Sequence, residues 1–238
     1  LEPLMCRLFK ELSNKKLLFD TFPRIPYREA LNLYGTDKPD LRFDLKMVDC
    51  TKIFENCELK IFKSAAASGG VVKVIPVKDG GAQTRKFFDD AEAFAKGEGA
   101  KGLAWITIKD GEMRGPIVKF LSDGEREQLC AHAKLGEGDA AFFGAGPAAE
   151  VNGLLGKVRN YLGRALNLID KDHVAFCWIV DFPMFEYDPD KKKIEFSHNP
   201  FSMPQGGLEA LTSKDPLDVL AFQYDIVCNG VELSSGAI

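Results

Sequence analysis

Apolar positions recur at two different periods along this chain, and the changes of period mark out three regions. "LEPLMCRLFKEL" (1–12) repeats at helical spacing, with Leu4, Leu8 and Leu12 on one stripe. Pro23 and Pro26 then break the pattern, and Tyr27 to Tyr34 are spaced for a short helix that Gly35 would end. "GTDKPDLR" (35–42) is polar, and its Pro39 favours an extended or turned path. The middle alternates strands and helices. "VVKVIPV" (71–77) reads as a strand, and the helix after it places Phe87, Ala91, Phe94 and Ala95 on one face. "GLAWITIKDGEM" (102–113) is a strand running into an Asp110-Gly111 turn. Ser122 and Glu125 form a capping box that starts a helix through about Lys134. "AAFFGAG" (140–146) is a strand, and Pro147 opens a long helix whose stripe is Val151, Leu154, Leu155, Val158, Leu162, Ala165 and Leu166.

From about His173 the pattern turns strand-rich. "VAFCWIVDFPMFEYD" (174–188) leads through "DPDKKK" into "IEFSHNPF", a hairpin with a longer loop. "YDIVCNGVELSSGAI" (224–238) reads as a strand followed by a small-residue turn. These elements make an α+β fold, with a self-contained middle and a last region of antiparallel strands that belongs to a larger sheet. Leu1 stands where a start methionine would, and both ends fall inside elements. The expectation is a piece of a longer protein.

A hydrophobic fraction of 45%, a charged fraction of 28% and a net charge of -4 describe an ordinary soluble protein. The acidic balance argues against a DNA-coating surface, while leaving room for a local RNA contact. Lys191-Lys192-Lys193 reads as a solvated loop. The six cysteines contain no C-x-x-C pair and several lie in apolar runs, so the reading is reduced buried thiols in a cytoplasmic protein. No signal peptide opens the chain, and no apolar run is long enough to span a bilayer, so no membrane role is expected.

Candidate chemistry is sparse. His132 sits in a helix and His173 at a strand entrance, and neither suggests a role. His198 follows a strand end, where a side chain can face a cleft or serve only structure. Asp225 and Glu232 are seven positions apart, so strict alternation would put them on opposite faces. Asn229-Gly230 between them signals a turn or bulge that can restore a common face. Two carboxylates held together could bind Mg²⁺, or one could be exposed and the other structural. "GAGPAAEV" (144–151) lacks the third glycine of a nucleotide loop and reads as strand-to-helix punctuation. "SAAASGGVV" (64–72) reads as a flexible connection.

"FPRIPYREALNLYGTDKPDLRF", "GAQTRKFF", "GAKGLAWI", "FFGAG", "WIVDFPMFEYD", "FSHNPF" and "YDIVCNGVELSSG", in that order and spacing, resemble the bacterial-type aspartyl-tRNA synthetases of class II. The resemblance covers essentially the whole chain. It implies a GAD-like insertion domain at 42–170, between catalytic-domain segments at 1–41 and 171–238 of a class II antiparallel sheet. It implies an aspartate–tRNA ligase whose ligands are aspartate, ATP with Mg²⁺, and tRNA(Asp), with tRNA(Asn) as an open second. The parent would be a cytoplasmic homodimer. His198 then matches the aspartate-binding histidine, and Ser234, Ser235 and Gly236 a small-residue turn beside the substrate. Glu232 matches a residue that binds ATP through Mg²⁺, and Asp225 its acidic partner in metal binding. No covalent catalytic residue is implied. Where the family commonly reads HHPF, this chain has His198-Asn199. The resemblance also implies that the chain lies between the second and third class-defining motifs, so that alone it is inactive. Two other readings stay open: a non-catalytic GAD-type module docking tRNA or protein, and a metal hydrolase using His198, Asp225 and Glu232.

Overall fold

The computed structural model describes residues 1–238. Its helices are α1 (Glu2–Leu12), α2 (Tyr27–Tyr34), α3 (Lys60–Ala67), α4 (Arg85–Gly97), α5 (Asp123–His132), α6 (Ala148–Ala165) and α7 (Gly207–Ser213). Its strands are β1 (Lys16–Leu17), β2 (Arg24–Pro26), β3 (Val48–Asp49), β4 (Val71–Val77), β5 (Ala104–Lys109), β6 (Glu112–Arg114), β7 (Ala140–Gly146), β8 (His173–Val174), β9 (Phe176–Val180), β10 (Phe185–Asp188), β11 (Lys193–Phe196), β12 (Gln223–Cys228) and β13 (Val231–Ala237). The mixture is the α+β class expected. The chain divides into two units. Unit 1 comprises residues 1–31, 37–43 and 169–238, and unit 2 comprises 32–36 and 44–168.

Unit 2 is a five-stranded antiparallel sheet in the order β3-β4-β7-β5-β6. One face carries Val72, Val74, Ile106 and Phe143, which pack with Phe54 and Phe62. The other face is covered by α4 and α6. α5 begins with the capping box read from sequence: Ser122 Oγ accepts from the Glu125 amide, and Glu125 accepts from the Ser122 amide at 2.7 Å. In α4 the buried positions are Phe88, Ala91 and Ala95, whereas the expected stripe began at Phe87. Both choices have helical spacing. The sheet decides, because Phe88 stacks on Trp105 at 4.3 Å and on Phe142 at 5.7 Å, while Phe94 stacks on Tyr161 of α6.

Unit 1 is built on a four-stranded sheet, β13-β12-β9-β2, with β2 parallel to β9 and the other pairs antiparallel. The β10–β11 hairpin stands apart from it and pairs Phe185 with Phe196, as the longer-loop hairpin pattern anticipates. α1 turns Met5, Cys6 and Phe9 toward Phe22, Phe176 and Ile226, whereas the expected leucine stripe of Leu4, Leu8 and Leu12 is exposed. The end of the chain also differs from its expected strand and small-residue turn. It is a two-stranded hairpin whose turn is Asn229-Gly230, at φ 52° and 83°. Two successive positive φ values suit a tight hairpin, and Asn and Gly carry them at least cost. The small residues Ser234 to Gly236 lie inside β13 instead.

All six cysteines are free. Burial pushes the Cys50 and Cys177 thiols up to about 12. No helix is long and apolar enough to cross a membrane.

Candidate functional site

The hairpin brings Asp225 and Glu232 onto one face. Val227 stands opposite Glu232 in the ladder, and Asp225, two residues before Val227, points the same way. A register shift follows between Ile226 and Val227, so that Asp225 pairs with Ser235 and Ile226 with Ser234. The shift sorts the small residues. Ser235 shares the face of Asp225, while Ser234 and Gly236 lie on the opposite face with Ile226 and Tyr224. A Cβ on Gly236 would stand 2.5 Å from the Tyr224 ring, so this position has no room for a side chain.

Asp225 is buried, at 4% exposure, and its Oδ1 has no hydrogen-bond partner. Burial is the main cause that lifts its carboxyl above the ordinary range. Ser235 works against that shift, the charges of Glu232 and Asp37 add to it, and His198 lowers it. Two neighbours in the hairpin, Glu232 and Ser235, and two groups far away in sequence, Asp37 and His198, therefore act on one carboxylate. Asp37 and Lys38 were not picked out by sequence reasoning. Lys38 Nζ lies 3.0 Å from Glu232 Oε2 and 3.9 Å from Asp37 Oδ2. The Glu232 contact holds the Lys38 ammonium above its usual pKa, followed by the Asp37 charge. The hydrophobic-polar pattern around residues 35–42 says only "polar loop", and the pairing with Glu232 exists only once the chain has closed.

The loop bearing Lys38 is braced locally. Arg42 grips Asp40 through Nε at 3.0 Å and a terminal nitrogen at 2.7 Å. Gly230 stands close beneath it, where a Cβ would meet Asp40 Cβ at 3.4 Å. Asn229 Oδ1 accepts from the Ala175 amide at 2.9 Å, which ties the turn to the strand region beside it.

His198 follows β11, as expected, and is exposed. Its ring stands edge-on to Phe182 at 5.0 Å and to Tyr27 at 5.6 Å. Tyr27 is itself held above its usual pKa, first by burial and then by Asp37 and Glu186. The donor set is two convergent carboxylates, one with an unpartnered buried oxygen, beside a lysine and a histidine. No three His, Cys, Asp or Glu side chains form a metal-holding group. Two carboxylates still fit Mg²⁺, which is commonly held by one or two of them while water and phosphate oxygens complete its shell.

A GAD domain model matches residues 62–155. The chain is 52% identical over its full length to the aspartate–tRNA(Asp/Asn) ligase of Zymomonas mobilis, of which it covers 40%. It is 52% identical to the aspartate–tRNA ligase of Streptomyces avermitilis and 50% identical to the aspartate–tRNA(Asp/Asn) ligase of Chlorobium chlorochromatii, covering 40% and 39% of them. It thus spans about 40% of the length of these curated relatives. End to end, the chain is similar to part of the bacterial aspartate–tRNA ligases, and within it residues 62–155 match the GAD domain.

Proposed function

We propose that this chain forms part of an aspartate–tRNA ligase, and that its Asp225–Glu232 face receives ATP with Mg²⁺ while His198 and Ser235 face aspartate. In this reaction the aspartate carboxylate attacks the α-phosphorus of ATP, pyrophosphate leaves, and a terminal tRNA hydroxyl then displaces AMP from the aspartyl-adenylate. The observation that carries the reading is the convergence of Asp225 and Glu232 on one face, with Asp225 Oδ1 buried and unpartnered. A buried acceptor without a donor is costly, and it persists where a ligand completes the site. Mg²⁺ bound there would supply charge for the phosphates of ATP.

The chain's own residues divide the remaining work. Lys38 neutralises Glu232 before ligand arrives and offers a cation to an anionic substrate. The Tyr27 and Phe182 rings fix the plane of His198. Ser235 offers a hydroxyl on the same face as the two acids, while Ser234 and Gly236 act from behind by letting β13 lie close against Tyr224. Positioning and electrostatics account for the catalysis, because no step needs a covalent enzyme intermediate. The reading carries with it tRNA(Asp), and tRNA(Asn) as a second acceptor, a homodimeric assembly and a cytoplasmic location.

The test uses a full-length ligase bearing this segment. Glu232→Gln and Asp225→Asn should each lower ATP–pyrophosphate exchange by about 10²-fold with the circular dichroism spectrum unchanged. Raised Mg²⁺, or Mn²⁺, should recover part of the Glu232→Gln loss. Exchange within about twofold of the parent for both variants would remove the two acids from the reaction.

A further inference from the structure

We infer that Gln205 and Asp181 are positioning residues for His198: their hydrogen bond fixes the chain turn that presents the Phe182 ring to the histidine. The inference rests on the function proposed above for its catalytic consequence. Every residue in it belongs to unit 1.

β9 ends at Val180, and Asp181 follows in the left-handed region, at φ 56°. A residue with a Cβ adopts that conformation at a cost, and aspartate is among those that tolerate it best. Such a residue stays there when its surroundings fix it. Here the side chain is what is fixed. Gln205 Nε2 donates to Asp181 Oδ1 at 2.7 Å and to Ala221 O at 3.2 Å. The Gln205 backbone amide donates to Leu220 O at 2.7 Å. Gln205 therefore grips residues 220 and 221 through its backbone and side chain, and holds Asp181 with the same amide group. The bond to Asp181 ends on a carboxylate, which makes it the stronger of the two side-chain bonds.

The turn at Asp181 decides where the next residue goes. Phe182 is fully buried, and Pro183 after it disfavours a helical path. The Phe182 carbonyl accepts from the Ala221 amide at 2.8 Å, so Ala221 serves both Gln205 and Phe182. The Phe182 ring meets the His198 ring edge-on, at 5.0 Å, and lies 4.8 Å from the Tyr27 ring. The backbone beside His198 is tied to the same segment, because the Ser197 amide donates to Met184 O at 3.0 Å. Residues 181–184 thus support the histidine from its ring and from its chain. His198 is exposed, so these contacts are what orient it. A slip of Asp181 out of the left-handed region would turn Phe182 away from the histidine.

Three substitutions separate the bond from the turn. Gln205→Met keeps the length of the side chain and removes its donors. Asp181→Gly keeps the left-handed turn accessible and removes the acceptor. Asp181→Asn keeps both, since asparagine suits that region and its Oδ1 accepts. In the 238-residue chain with labelled histidine and phenylalanine, nuclear Overhauser contacts between the His198 and Phe182 rings should be present in the parent and in Asp181→Asn. They should be lost in Gln205→Met and Asp181→Gly. In a full-length ligase bearing this segment, Gln205→Met and Asp181→Gly should raise the aspartate KM about fivefold or more and leave the ATP KM within about twofold. Asp181→Asn should behave as the parent. Asp215→Ala removes the cap on the Leu217 amide without touching Gln205 or Asp181, and should change neither readout.

If Gln205→Met fails to fold, Asp181→Gly against Asp181→Asn makes the same comparison. Ring contacts retained in folded Gln205→Met and Asp181→Gly, or lost in Asp181→Asn as well, overturn the inference. So does an ATP KM that rises as far as the aspartate KM. Lost ring contacts with an unchanged aspartate KM uphold the positioning and instead count against the proposed role of His198.

Discussion

Replacing Asp225 by asparagine should make this chain more stable, although in a full-length ligase the same change should lower exchange. Asp225 is 4% exposed and its Oδ1 has no partner, so its charge is held out of water with incomplete compensation. An unsatisfied buried acceptor costs about 1–3 kcal/mol, and more when charged. Asparagine keeps the shape and removes the charge, but brings an amide that also needs partners. The net gain should therefore fall near the low end, about 1 kcal/mol, or roughly 2–4 °C in Tm for a chain of this size. The pH dependence identifies the cause. Burial raises the folded-state pKa of Asp225 above its unfolded value, so the folded form binds the proton more tightly. The penalty on the parent is fully present above the folded pKa, shrinks as pH falls through it, and is gone below the unfolded value of about 3.9. The advantage of Asp225→Asn should be largest at neutral pH and close on acidification. The two tryptophans make the assay specific, because Trp105 lies in unit 2 and Trp178 in unit 1. On a Trp105→Phe background, Trp178 fluorescence reports on β9, which pairs directly with β12. Urea melts of both proteins from pH 7 down to pH 4 would give the comparison. A variant less stable than the parent at pH 7, or a difference constant across that range, would refute the assignment of strain to Asp225.

Further outcomes follow from the same geometry. In a full-length ligase, His198→Ala should raise the aspartate KM at least about tenfold while moving the ATP KM little, since its ring is held on the aromatic side of the site; equal changes in both constants would count against it. Limited proteolysis should cut unit 1 before residues 44–168, because unit 1 exposes Leu4, Leu8, Phe201, Leu208 and Val231, whereas Ile61 and Leu168 are the large apolar residues exposed in unit 2. Digestion of both units at one rate would overturn this. Ser122→Ala should lower the stability of unit 2 by about 1 kcal/mol, read by Trp105 fluorescence, through loss of the capping box; an unchanged midpoint would show that the cap contributes nothing.

What could be read from sequence, and what could not, follows the range of the interactions. The Ser122–Glu125 box and the β10–β11 hairpin rest on neighbours a few residues apart, and both appear as expected. The common face of Asp225 and Glu232 is an intermediate case. Counting seven positions along one strand separates them, while reversing the chain at Asn229-Gly230 unites them, and only that local turn signal favoured the second outcome. Arg159 lay beyond this reach. Its stripe in α6 reads as apolar with a charged neighbour, and a charged side chain on a helix is ordinarily solvated. It is buried because Asp44 O, Leu45 O and the Tyr34 ring receive it, and none of these is near it in sequence. Lys38 lay beyond it too. Nothing in "GTDKPDLR" points to Glu232, which is far along the chain, and the pair forms only once unit 1 has folded. The site therefore has two kinds of component. The β12–β13 hairpin presents acids whose relative placement is set within fifteen residues of chain. The cation that balances them arrives on the 37–43 loop, from a distant part of the chain. Removing that cation should therefore alter how Glu232 is compensated without altering the hairpin.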